Sequence, residues 1–142
     1  LTTAEALQTF RGGNRSVTVA SNVNLEGVNK DLTNTLVEVC GATGSCTLTA
    51  AKNGQHTNPC HAAGTCFDVV CTSCKTDADL STFIQNTQSK GYCAVYEPGF
   101  DKETGEAIAC PTGMTTCRAG VGTGKHFSFY PPTGSRDTLC NK

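Results

Sequence analysis

The chain has 142 residues, 37% of them hydrophobic, and a formal net charge of −1. That is the length of one domain able to bury a core, and no apolar run approaches the ~18 residues of a membrane-spanning helix. The eleven Lys and Arg are scattered rather than striped, which argues against a nucleic-acid partner held through its phosphates and against a basic membrane-surface helix.

The N-terminal Thr2-Thr-Ala-Glu5 is a capping-box pattern, so Ala4 to Phe10 is expected to form a short helix ended by Gly12-Gly13. Asn14-Arg-Ser16 is a glycosylation sequon, relevant in a eukaryotic source. Ser16 to Ala20 alternates polar and apolar residues as a half-buried strand does. Leu25, Val28, Leu32, Leu36 and Val39 recur at steps of three and four, which predicts an amphipathic helix from Leu25 to Cys40 with Gly41 as its stop. Cys46 to Ala50 reads as a short strand and Lys52-Asn-Gly54 as the turn after it. A loop with His56, Pro59, Cys60 and His61 then leads into a Cys66–Cys71 strand. Asp77 caps a further helix with Leu80, Phe83, Ile84 and Thr87 inward, ending before Gly91. Tyr92 to Tyr96 is another strand. Residues 97–124 form a long irregular stretch, stapled by Cys110 and Cys117, of the kind that is functional or inserted. His126 to Tyr130 is the last strand, closed by Pro131-Pro132. The expected fold is α+β, a single disulfide-rich domain over 1–142 with a small, mostly antiparallel sheet and two to three helices.

Ten cysteines at irregular spacing fit up to five disulfides and an oxidising compartment. Cys40, Cys46, Cys60, Cys66, Cys71, Cys74, Cys93, Cys110, Cys117 and Cys140 are all expected to be paired. Cys71-Thr-Ser-Cys74 has no second CxxC to complete a zinc finger. A redox role would require it to open a helix within a βαβ unit, and the pattern shows no such unit. The chain opens at Leu1 without methionine or signal peptide, as an exported and processed product does. A secreted or cell-surface location is therefore expected.

Chemistry concentrates between Gly54 and Cys71, which holds two of the three histidines and three of the ten cysteines. Asp68 sits among Phe67, Val69 and Val70, and a carboxylate buried there is costly unless paired, hydrogen-bonded or bound to metal. His61, Asp68 and His126 together offer two imidazoles and a carboxylate, the donor types of a catalytic zinc. Such a metal lowers the pKa of its water to about 7, and a nearby carboxylate serves as base.

The segment His61-Ala-Ala-Gly64-Thr-Cys66-Phe-Asp68 resembles the HxxGxAxD motif of the zinc D-alanyl-D-alanine peptidases, which share the DD-peptidase/hedgehog fold. The resemblance runs from about Leu25 to Tyr130 and includes Leu48-Thr-Ala-Ala51, Gly91-Tyr92 and Gly124-Lys-His126-Phe. It implies zinc on His61 and Asp68, and a substrate of D-amino-acid bonds in peptidoglycan peptides. The chain departs from the family in three places. Pro59 replaces a serine two residues before the motif histidine. Ser128 stands where members with HxH have their second, metal-binding histidine. Thr123 stands where others have a glutamate three residues before the ligand histidine. On an HxH alignment the third ligand is missing; on the other, His126 is the ligand and the base must come from elsewhere, with Glu97, Asp101, Glu103 and Glu106 as candidates. His56 and Ser128 are candidates for lining the substrate cleft. Three functions remain open: a zinc peptidase, an inactive relative that binds cell-wall peptide or another surface component, and a self-assembling structural subunit of a surface layer or appendage.

Overall fold

The computed structural model describes residues 1–12, 15–54, 58–122, 124–132 and 137–140. In chain order they form α1 (Thr3–Gly12), β1 (Val17–Val19), α2 (Lys30–Thr43), β2 (Cys46–Ala50), α3 (Cys60–Ala63), β3 (Phe67–Val70), α4 (Asp77–Ser89), β4 (Cys93–Glu97) and β5 (His126–Tyr130). The strands make one five-stranded sheet in the order β1-β2-β3-β5-β4. The fold is α+β and disulfide-rich, as the sequence leads one to expect.

One face of the sheet carries the core. Residues alternate across a strand, so Phe67 and Val69 of β3, Ala94 and Tyr96 of β4, and Phe127 and Phe129 of β5 share a side. All are buried together with Leu32, Leu36 and Val39 of α2 and Phe83 of α4. Phe83 stacks on Phe127 with ring centroids 4.3 Å apart and meets Phe129 edge-on at 6.4 Å. Phe10 brings α1 onto Phe67 at 6.3 Å. Each such large side chain is worth about 1.5–3 kcal/mol on burial, which fixes which face turns toward the helices.

Three expectations need correction. The sheet is mixed rather than mostly antiparallel, because β1 runs parallel to β2 while β2–β3, β3–β5 and β4–β5 are antiparallel. The cause is a crossover: α2 connects β1 to its neighbour β2, and a helical crossover returns the chain in the same direction. That β1-α2-β2 segment is a βαβ unit, although Cys71 and Cys74 lie outside it, between β3 and α4. Secondly, α2 begins at Lys30, five residues later than the apolar period indicates. Asn29 caps it by accepting from the Leu32 N–H at 2.9 Å, while Leu25 and Val28 stay buried from the preceding turn. The helix also passes through Gly41 and stops at Gly44. Thirdly, the described residues form four helices, the addition being the single turn α3; and α4 is capped by Thr76, not Asp77, in a capping box with Asp79. Asn14 of the sequon and Gly13 lie outside the described residues.

The ten cysteines pair as Cys40–Cys46, Cys60–Cys66, Cys71–Cys74, Cys93–Cys140 and Cys110–Cys117. The stapling of the irregular stretch by Cys110 and Cys117 is as expected. This stretch also protects an edge: Tyr96 N–H donates to the Thr116 carbonyl and Arg118 N–H to the Tyr96 carbonyl, both at 2.9 Å, so residues 116–118 run along the outer side of β4. Among the described residues no helix is long and apolar enough to cross a membrane.

Four of the disulfides join residues only 3 to 7 apart, whereas Cys93–Cys140 spans 47. Loop-closure entropy makes the long bridge worth about 4 kcal/mol and a bridge such as Cys71–Cys74 about 2 kcal/mol. Replacing Cys93 and Cys140 together with serine should therefore lower the unfolding free energy about twice as much as the same exchange at Cys71 and Cys74, read by denaturant titration. Equal losses would show that the chain ends are held by other contacts.

Candidate functional site

The other face of the sheet is polar, by the same alternation that buries the aromatics. Asp68 of β3 stands opposite Ser128 of β5, and Ser128 opposite Val95 of β4. His126 stands opposite Glu97, and Tyr130 opposite Cys93. Four polar side chains from three adjacent strands, Asp68, His126, Ser128 and Glu97, thus share one surface.

His61 reaches this surface from α3. Cys60 and Cys66 bracket it with their disulfide, and Gly64 ends the turn in the left-handed region at φ 72°. Gly64 is fixed by space as well as by conformation. A Cβ built there would lie 2.7 Å from the Gly27 carbonyl oxygen, and its own carbonyl accepts from Asn29 N–H at 2.8 Å. The glycine of the HxxG pattern therefore locks the His61 turn to the entry of α2.

Both histidines are held in the same manner. His61 Nδ1 lies 2.6 Å from the Ala51 carbonyl oxygen, and its Nε2 faces Asp68 Oδ1 at 3.4 Å. His126 Nδ1 lies 2.8 Å from the Gly124 carbonyl oxygen, and its Nε2 faces Glu97 Oε1 at 2.8 Å. Ser128 Oγ donates to the same Glu97 oxygen at 3.0 Å. Gly122 packs over the His126 ring so closely that a Cβ there would come 2.6 Å from Cε1. His61 is buried, and the His126, Glu97 and Asp68 side chains retain only 14%, 12% and 17% exposure.

A neutral imidazole has one N–H and cannot serve two acceptors. Each ring here faces a carbonyl on one side and a carboxylate on the other, so each favours carrying a positive charge or a cation at Nε2. Burial pushes His61 down, but the hydrogen bond and charge of Asp68 and the Ala51 carbonyl outweigh it and raise its pKa. Burial likewise opposes His126, and Glu97, the Gly124 carbonyl and the charge of Asp68 raise it. The two pairs feel one another, since His126 repels a charge on His61 and Asp68 attracts one on His126.

Each histidine has Nδ1 fixed on a carbonyl and Nε2 turned to a carboxylate, the orientation that ligand histidines take. The 3.4 Å between His61 Nε2 and Asp68 Oδ1 is long for a charge-assisted hydrogen bond. It is close to the ~3.3 Å that separates two ligands on a tetrahedral zinc. Yet among the described residues no group of three or more His, Cys, Asp or Glu is arranged to hold a metal ion, and His126 Nε2 is engaged with Glu97.

Of the candidate bases, Glu97 is brought into this cluster by β4. Asp101 instead turns the loop, accepting from the N–H groups of Glu103 and Thr104 at 2.8 and 3.0 Å, and Glu103 and Glu106 are exposed. His56 and Thr123 lie outside the described residues. Sequence reasoning misses Tyr130, on β5 beyond Ser128, and the ion pair of Asp137 with Arg118. Arg118 donates from Nη1 and Nη2 to the two oxygens of Asp137, both at 2.8 Å, and this guanidinium holds the Asp137 carboxyl below its ordinary value. Burial pushes the Tyr130 hydroxyl up to about 12, so it stays protonated. The spacing in sequence carries no signal for these contacts.

A histidine whose pKa is raised by folding adds stability that is full below its unfolded value of about 6.5 and disappears as pH rises through the folded value. In chelator, unfolding free energy should therefore fall as pH rises from about 6 upward, and His126→Gln should flatten part of that slope; an unchanged slope would exclude the raised pKa. Gly64→Ala forces a side chain into the left-handed region against the Gly27 carbonyl and should cost about 2 kcal/mol or more in thermal or denaturant unfolding. Set against protein-family models, curated proteins and solved structures, the chain matches none.

Proposed function

We propose that this chain is a secreted zinc-dependent peptidase acting on D-amino-acid bonds of peptidoglycan stem or cross-link peptides. The observation that carries the reading is the pair of histidines, each fixed through Nδ1 on a carbonyl with Nε2 turned to a carboxylate across one sheet face. His61, Asp68 and His126 are the residues to hold zinc, which when bound polarises the scissile carbonyl and lowers the pKa of its water. Glu97 is the base: Ser128 Oγ–H fixes its Oε1, and a carboxylate so placed accepts a proton from the attacking water and returns it to the leaving amine. Ser128, at the position where many members have a ligand, orients that base. The substrate class rests on the resemblance of His61–Asp68 to the peptidase motif, and export rests on the five disulfides.

A second reading has an observation in its favour. Glu97 occupies His126 Nε2, and among the described residues no three ligands converge. This arrangement suits an inactive relative that binds cell-wall peptide or another surface component, or a self-assembling structural subunit of a surface layer.

The purified protein should contain about one zinc per chain, as a three-ligand site requires, and lose it on His61→Ala or Asp68→Ala. Glu97→Gln should keep the metal and lose at least about a hundredfold in cleavage of a D-alanyl-D-alanine peptide. A metal-free wild type, with folding unchanged in the His61 and Asp68 variants, would sink the peptidase reading. Co-sedimentation with purified cell wall would then support the binding module, and ordered filaments without it the structural subunit.

A further inference from the structure

The carbonyl that aims the His61 ring lies just past the end of a strand. β2 ends at Ala50, and its register with β3 already shifts between Leu48 and Ala50, so Ala51 stands beyond the regular ladder. Ala51 is nevertheless fully buried, and its oxygen meets His61 Nδ1 at 2.6 Å. An acceptor in that position orients a ring only if its own peptide is held still.

Two asparagines hold it. The Ala51 carbonyl and the Lys52 N–H belong to one planar peptide, and the Lys52 N–H donates to the Asn24 carbonyl at 3.1 Å. Asn53 Oδ1 accepts from the Ala51 N–H at 2.9 Å and from the Asn24 N–H at 3.3 Å. One side-chain oxygen therefore ties the turn after β2 to the stretch that receives it. Asn24 Oδ1 accepts from the Glu26 N–H at 3.1 Å and folds that stretch, which leads to Asn29, the residue whose N–H meets the Gly64 carbonyl at the end of the His61 turn. Asparagine suits turns for two reasons, its tolerance of the left-handed region and a side chain that accepts backbone N–H groups. Only the second applies at Asn53: among the described non-glycine residues the positive φ belongs to Arg15, and within this turn the left-handed position is Gly54 at 78°.

We infer that Asn53 is a positioning residue for His61: its Oδ1 binds the Ala51 and Asn24 N–H groups together, and the Asn24 carbonyl in turn fixes the peptide whose oxygen sets the ring. With Nδ1 committed to that oxygen, Nε2 is left facing Asp68. Asn53 acts through the Ala51–Lys52 peptide and touches no reacting atom. The inference rests on reading His61 as a member of the proposed site, but it concerns the placement of the ring and holds with or without bound metal. His126 supplies an internal comparison, because its Nδ1 rests on the Gly124 carbonyl at the entry of β5 instead.

The test uses the full chain, isotope-labelled and metal-free at about pH 5, where an imidazole carries both protons, with the Nδ1–H signals of His61 and His126 read by NMR. Asn53→Ala removes the acceptor and should move the His61 Nδ1–H signal upfield and speed its exchange with water, leaving His126 in place. Asn53→Asp keeps an oxygen for both N–H groups and should restore the wild-type His61 signal. Should Asn53→Ala fail to fold, Asn53→Ser, whose side chain is too short to span both N–H groups, takes its place with the same expectation. An unmoved His61 signal in the variant lacking the acceptor would overturn the inference. So would an Asn53→Asp variant as altered as that one, or a His126 signal that moves equally, since a general loosening spares neither ring. Zinc content is measured apart: a protein that binds no zinc yet shows the His61 shift and its rescue loses the peptidase reading and keeps this one, and one that binds zinc with His61 unmoved does the opposite.

Discussion

Phe83 stacked on Phe127 decides more than the packing of one helix. With Phe127 and Phe129 drawn under α4, the two-residue period of β5 leaves His126, Ser128 and Tyr130 no choice but the opposite face. The flanking strands are in register with β5, so Asp68 and Glu97 arrive beside them. A slip of one residue would put a histidine and a serine into the apolar layer and two phenylalanines into the polar one. The polar cluster is thus placed by the energetics of aromatic burial on the far side of the sheet, and its own interactions need only orient what packing has already delivered.

What the polar face contains explains why it is tightly wired. Two imidazoles, each between a carbonyl and a carboxylate, concentrate charge at positions with little solvent. Such groups are tolerated only when their lone pairs and protons are matched: Ser128 and His126 both meet Glu97, and the buried Asp137 carboxylate is matched by the partly exposed Arg118. Among the described residues no buried side-chain nitrogen or oxygen lacks a partner. The same saturation leaves His126 tied to Glu97, which is the tension between a site that holds metal and one that merely satisfies itself.

Much of the fold was readable from local pattern. Cys46–Ala50 and His126–Tyr130 are strands with the expected bounds, since alternation and turn residues mark their ends. The start of α2 was not, because Leu25 and Val28 continue the helical period while lying in a turn, where burial imitates periodicity; only the Asn29 cap distinguishes them. The parallel pairing of β1 with β2 and the contact of Glu97 with His126 depend on strand order and register, which a linear pattern does not encode. His61 and Asp68 stand close in sequence and could be singled out by spacing. Asp137 could not, for its partner Arg118 has no periodic relation to it, and a lone aspartate reads as solvated.

The run of residues 116–118 along β4 has a bearing on how copies of this protein can meet. Extension of a sheet from molecule to molecule needs two open edges, one to give and one to receive. Here one edge is already occupied within the chain, and the other is the three-residue β1. Strand pairing between copies through β1 would be self-complementary and would close as a two-fold pair rather than propagate. A filament joined through the described sheet alone would rest on side-chain surfaces, not on a continuous ladder of backbone hydrogen bonds.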